Sequence, residues 1–99
     1  MNPPVTLSEY YQHYLALHTN PNCRRLHMLG QVATIAYVLF SLLNAPILLL
    51  AAPFVVYPFA WAGHFIFEKN KPAAFRDPIK AKICDWIMFK DILTGKIPL

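Results

Sequence analysis

An all-α integral membrane protein, built as a two-span helical hairpin in one domain over residues 1–99, is the fold class this sequence predicts. Three observations carry the prediction. No Lys, Arg, Asp or Glu occurs from Leu26 to Phe67. Hydrophobic residues make up 57% of the chain and charged residues only 14%, against roughly 25% charged in ordinary globular domains. The basic residues flank the uncharged window, with Arg24 and Arg25 before it and Lys69, Lys71, Arg76, Lys80 and Lys82 after it.

The window is long enough for two membrane helices of about 20 residues each, parted at Asn44-Ala45-Pro46, a natural turn. This gives a first span over 26–43 and a second over 47–67. Pro53 and Pro58 should bend the second, which a bilayer tolerates where neighbours satisfy the freed carbonyls. Thr6-Leu-Ser-Glu9 is a capping box. It opens an amphipathic helix over 6–18 whose apolar face is Leu7, Tyr10, Tyr11, Tyr14 and Leu15. That face continues onto His18, whereas His13 turns to water. Asn20-Pro21 reads as the N-cap and first position of the next helix. Asn70-Lys71-Pro72 breaks the second span, Asp77-Pro78 repeats the cap signal, and Thr94-Gly95 ends a helix over 78–93. Its stripe of Ile79, Ile83, Trp86 and Ile87 stands opposite Lys80. Too short and too charged to span, this is an interfacial helix.

Charge fixes the orientation. The connecting loop is uncharged, so the positive-inside rule places both termini in the cytoplasm. The membrane is then the inner membrane of a bacterium or the endoplasmic reticulum of a eukaryote. The N-terminus lacks the basic start of a cleaved signal peptide. Cys23 and Cys84 face the reducing side, which argues against a disulfide. The net charge of +4 suits an anionic lipid surface, and no groove-reading motif points to nucleic acid. A soluble hairpin buried in an oligomer is the competing architecture. Two thin spans bury little surface alone, which keeps a homodimer among the expectations.

The hairpin brings chemistry to one depth. Antiparallel spans set His27, at the start of the first, level with His64, near the end of the second. Glu68 shares a face with His64, and His18 reaches the same level through a short turn. Imidazoles with a carboxylate suit Fe(II), while Zn, Mn and Cu share the ligand type. The plainer reading is that these histidines snorkel or hydrogen-bond at the boundary. Tyr10, Tyr11, Tyr14, Trp61 and Trp86 fit interfacial anchors or core. Arg24 and Arg25 are topology signals, either of which can meet a substrate carboxylate. Asp85 is an outer partner of a ligand histidine or a surface carboxylate, and Cys23 is a remote candidate for sulfur ligation.

Two segments carry a resemblance. His18-Thr-Asn-Pro-Asn-Cys-Arg-Arg-Leu-His27 is similar to the H-x-N-P…H opening of the iron-dependent 2-hydroxy fatty acid dioxygenases. Gly63-His64-Phe-Ile-Phe-Glu68-Lys69-Asn70-Lys71-Pro72-Ala73 resembles their G-H-x-x-x-E-K-x-x-P-A segment. The likeness runs from about Glu9 to Gly95 and is strongest to the short bacterial relatives. It implies a helical membrane protein that binds Fe(II) and O2 and removes one carbon from a 2-hydroxy fatty acid by α-oxidation. Carried over, His18, His27 and His64 would be metal ligands. Glu68 would be a further ligand or an orienting carboxylate with a catalytic role, and Lys69, Asn70, Lys71 and Pro72 would form the rim. Longer members have a further histidine between the two motifs, and this chain has none between His27 and His64. Either Glu68 completes the coordination, a second subunit contributes, or the short form does different chemistry.

The expected function is thus a membrane iron dioxygenase with its site at the cytoplasmic interface. Arg25 or Lys69 would face the substrate carboxylate, with the acyl chain between the spans. Two other classes stay open: a non-catalytic membrane module with a structural metal or histidine cluster, and a haem protein with His27 and His64 as axial ligands.

Overall fold

The structure, a computed structural model, describes residues 6–99. It is all-helical, with no strand among the described residues. Helix α1 covers Leu7–Ala16, and the Thr6 hydroxyl accepts from the Glu9 amide at 3.1 Å. Helix α2 covers Pro21–Asn44, with the Asn20 side chain capping the Asn22 amide at 2.9 Å. At about 1.5 Å per residue it is long enough for a hydrocarbon core of roughly 30 Å. Ala45 turns the chain in extended conformation, and Pro46 starts the return.

The return segment, Pro46–Glu68, is also long and apolar enough to cross a membrane. It is not one regular helix. Pro46–Phe54 is a 3₁₀ helix with Pro53 inside it, α3 covers Tyr57–Ala62 with Pro58 in its first turn, and Gly63–Glu68 is a π turn. Each proline removes a backbone donor, so a continuous i→i−4 ladder cannot form. After a short 3₁₀ turn at Ala73–Phe75, α4 runs over Pro78–Leu93 from an Asp77 cap.

The long helix α2 is polar on the face it buries. That face is Cys23, His27, Gly30, Gln31, Thr34 and Ser41. The Thr34 and Ser41 hydroxyls are satisfied inside the helix, by the Gly30 and Tyr37 carbonyls at 2.9 and 2.8 Å. Leu29, Val32, Ile35, Leu39, Phe40 and Leu43 stand on the outside. Only 28% of the most apolar window of α2, and 17% of that of the return segment, is buried within the chain. A water-soluble helix has the opposite polarity.

The two long segments touch closely where glycine permits it. A Cβ on Gly30 would lie 2.9 Å from Val56 Cγ2, and one on Gly63 would lie 2.9 Å from Cys23 Sγ. Helix α4 packs across α1, with Tyr10, Tyr14, Ala81, Cys84, Met88 and Ile92 as the core. Ile79 and Ile83 of its apolar stripe point outward. The packed face of α4 is therefore a second one, centred on small residues and Asp85.

Candidate metal centre

Each of the three histidines is fixed through Nδ1. His18 lies just past α1, stacked on the Tyr14 ring with centroids 4.0 Å apart, and its Nδ1 sits 2.6 Å from the Tyr14 carbonyl. A carbonyl only accepts, so Nδ1 carries the proton and Nε2 keeps its lone pair. The turn that carries His18 is held by Arg24, whose guanidinium donates to the His18, Thr19 and Pro98 carbonyls. His27, in the second turn of α2, meets Asp85 Oδ1 of α4 at 3.1 Å.

His64 begins the π turn, and its geometry follows from how that turn closes. The Lys69 and Asn70 amides both donate to the His64 carbonyl, and Lys69 takes a left-handed conformation with φ 57°. The reversal carries the Asn70 side chain back, so that its Oδ1 lies 2.7 Å from His64 Nδ1. The Asn70 amide nitrogen donates to the Leu17 carbonyl at 3.1 Å. That contact assigns the amide orientation and leaves Oδ1 to accept from the imidazole. A π turn is an uncommon element that tends to occur at functional sites.

The three rings converge. Centroid separations are 4.6 Å for His18–His27, 4.4 Å for His18–His64 and 5.3 Å for His27–His64. With Cys23 they form a buried group whose donor atoms all lie within 4.8 Å of one another. Nε2 of His18 and of His27 is buried with no hydrogen-bond partner among the described residues. Buried polar atoms left unpaired are expensive, and a metal ion satisfies several at once. Burial, followed by the proximity of His27, pushes the His18 pKa down to about 2, so this imidazole is neutral and available as a ligand. The donor set fits a metal.

Residues 5–97 match the family described as 2-hydroxy-palmitic acid dioxygenase Mpo1-like. The chain belongs to the Mpo1-like family. No curated protein and no solved structure matches it.

The other expected site residues of this Mpo1-like chain sit differently. Glu68 is not in the buried group. Its carboxylate accepts from the Asn20 amide at 2.6 Å and the Thr19 hydroxyl at 3.2 Å. It thus serves the N-terminus of α2, where negative charge is favourable. Asn70 is in the site as the His64 partner. Arg25, Lys69 and Lys71 are exposed and do not line the cleft beside the histidines.

That cleft lies between α3, α4 and the 72–74 segment, with His18, His27 and His64 along one side. The cleft is partly open, and its cavity volume is ≈ 30 Å³, room for about two water molecules. The two spans of this Mpo1-like hairpin approach most closely at Gly30 and Gly63, where an added methyl would crowd Val56 and Cys23. Sequence reasoning discounted Cys23 and missed Tyr14 and Lys82 as lining residues. The available signal for Lys82 was its position three residues before Asp85, on the same face of α4.

Proposed function

We propose that this chain is a membrane-embedded, iron-dependent dioxygenase that shortens 2-hydroxy fatty acids, or a related lipid-derived 2-hydroxy acid, by one carbon. The observation that carries this reading is the buried trio His18, His27 and His64, each with Nδ1 committed to an acceptor, which leaves Nε2 to take a metal. Family membership supports dioxygenase chemistry and this substrate class. The outward apolar face of α2 supports a bilayer setting. The basic flanks support cytoplasmic termini.

His18, His27 and His64 would hold ferrous iron, which would supply activation of O2. The chain's own groups prepare the site. Asp85 holds His27 in the Nδ1–H tautomer, Asn70 does the orienting for His64, and the Tyr14 carbonyl does so for His18. The Tyr14 ring shields His18 from water. The reaction balances with O2 as sole oxidant: RCH(OH)COOH and O2 give RCOOH, CO2 and H2O. The carboxyl carbon leaves as CO2, and the hydroxyl-bearing carbon becomes the new carboxyl.

A structural metal is the second reading, favoured by one observation: Cys23 makes the group a four-donor set, the pattern of closed sites. Metal analysis and an absorbance scan of detergent-purified protein separate the readings. The dioxygenase predicts near-stoichiometric iron without a Soret band, lost in His64→Ala and kept in Cys23→Ala. It also predicts conversion of 2-hydroxyhexadecanoic acid to pentadecanoic acid. No bound metal after anaerobic reconstitution with iron sinks the proposal. Loss of metal in Cys23→Ala favours the structural site.

A further inference from the structure

One ammonium group lies in the cleft beside the histidines. Of the described residues lining it, Lys82 alone brings a lysine or arginine side chain and Asp85 alone a carboxylate. The two share a face of α4, and Asp85 is already engaged with His27. Lys82 Nζ donates to the Pro53 carbonyl and sits 4.9 Å from the centroid of the Tyr57 ring. Both partners are neutral groups of the return segment. Burial lowers the Lys82 pKa, opposed by Asp85, so the cation is incompletely solvated and incompletely compensated.

We propose that Lys82 anchors the carboxylate of the substrate and restricts the site to free 2-hydroxy acids, against their esters and the corresponding diols. The inference rests on the acid-oxidising reading of the histidine cluster. A carboxylate is a stronger partner for an ammonium than a backbone carbonyl or an aromatic face. Lysine's flexible stem lets Nζ exchange the Pro53 carbonyl for a ligand without moving α4. Val56, Ala60, Ala73 and Ala74 of the surrounding wall offer a carboxylate no side-chain donor, and no other lining residue among those described carries a fixed positive charge. Arg25, Lys69 and Lys71 are turned to the exterior.

The test is anaerobic binding of 2-hydroxyhexadecanoic acid and of hexadecane-1,2-diol to metal-loaded protein in detergent, read by tryptophan fluorescence without turnover. Wild type binds the acid about 10- to 100-fold more tightly than the diol, as expected for one charge-assisted hydrogen bond. Lys82→Met erases that gap and leaves diol affinity and metal content unchanged, and Lys82→Arg keeps most of it. Should Lys82→Met fail to fold, Lys82→Gln, which still donates to Pro53, carries the same comparison. Acid preference that survives in the neutral variant, or is missing from metal-loaded wild type, overturns the anchor alone. Failure of the three imidazoles to hold metal overturns the reading beneath it.

Discussion

Replacing Asn70 with alanine tests the metal centre through a residue that would not touch the metal. The change removes the 2.7 Å acceptor on His64 Nδ1 and the 3.1 Å donor on the Leu17 carbonyl. Each neutral hydrogen bond contributes about 1 kcal/mol net, and orphaning a buried partner adds about 1–3 kcal/mol. His64 is 2% exposed, so water cannot replace the lost acceptor. The ring then loses the contact that fixes its tautomer, an outer-partner effect that typically lowers metal affinity about 10- to 100-fold. Iron affinity, measured by chelator competition at neutral pH, should fall by that factor in Asn70→Ala while helical content stays constant. Asn70→Asp keeps an acceptor for His64 but faces Leu17 with an oxygen, so it should recover metal affinity while remaining less stable. Asn70→Ala affinity within threefold of wild type would refute the argument that Nδ1 fixation makes His64 a ligand.

Three further outcomes follow from particular contacts. Glu68→Gln should cost about 1–2 kcal/mol in detergent unfolding, because a charged acceptor at the start of α2 becomes neutral, while metal stoichiometry holds; metal loss at unchanged stability would return Glu68 to the ligand set. Gly63→Ala should destabilise by about 1–3 kcal/mol, since its methyl would stand 2.9 Å from Cys23 Sγ and 3.1 Å from Cys23 Cα; an unchanged unfolding midpoint would contradict the close seam. The metal-free protein should also lose stability in acid. His18 has its pKa lowered from 6.5 to about 2, so below pH 6.5 the unfolded chain takes up a proton that the folded chain refuses. This contribution is complete above pH 6.5 and is lost at up to about 1.4 kcal/mol per pH unit as pH falls toward 2. Melts from pH 7.5 to 5.5 should show the decline, and stability rising toward acid would refute a buried neutral His18.

Much of this was legible because it depended on local rules. The caps at Thr6, Asn20 and Asp77 are side chains that satisfy nearby amides, and the proline after each of the last two fixes the first turn. The turn at 44–46 and the antiparallel return make His27 and His64 neighbours from the sequence alone. What sequence could not reveal was set by partners distant along the chain. Glu68 looked like a ligand because it sits four residues after His64, but the π turn changes that spacing, and Thr19 and Asn20 claim the carboxylate. Asn70 looked like rim because its role depends on a left-handed Lys69. The stripe on α4 was read from its largest apolar residues, yet the face that packs carries Ala81, Cys84 and Asp85, and of these only Asp85, a candidate outer partner, was marked by its chemistry.

The close approach of the spans at Gly30 and Gly63 bears on molecular length. If the head of a lipid acid reaches the histidines while its tail stays in the surrounding hydrocarbon, each added methylene remains among lipid chains before and after binding. Its transfer free energy is then near zero, and the chain carries no ruler with which to measure the tail. Selectivity would fall wholly on the last few atoms of the ligand, and a mixed pool of tail lengths would compete on equal terms.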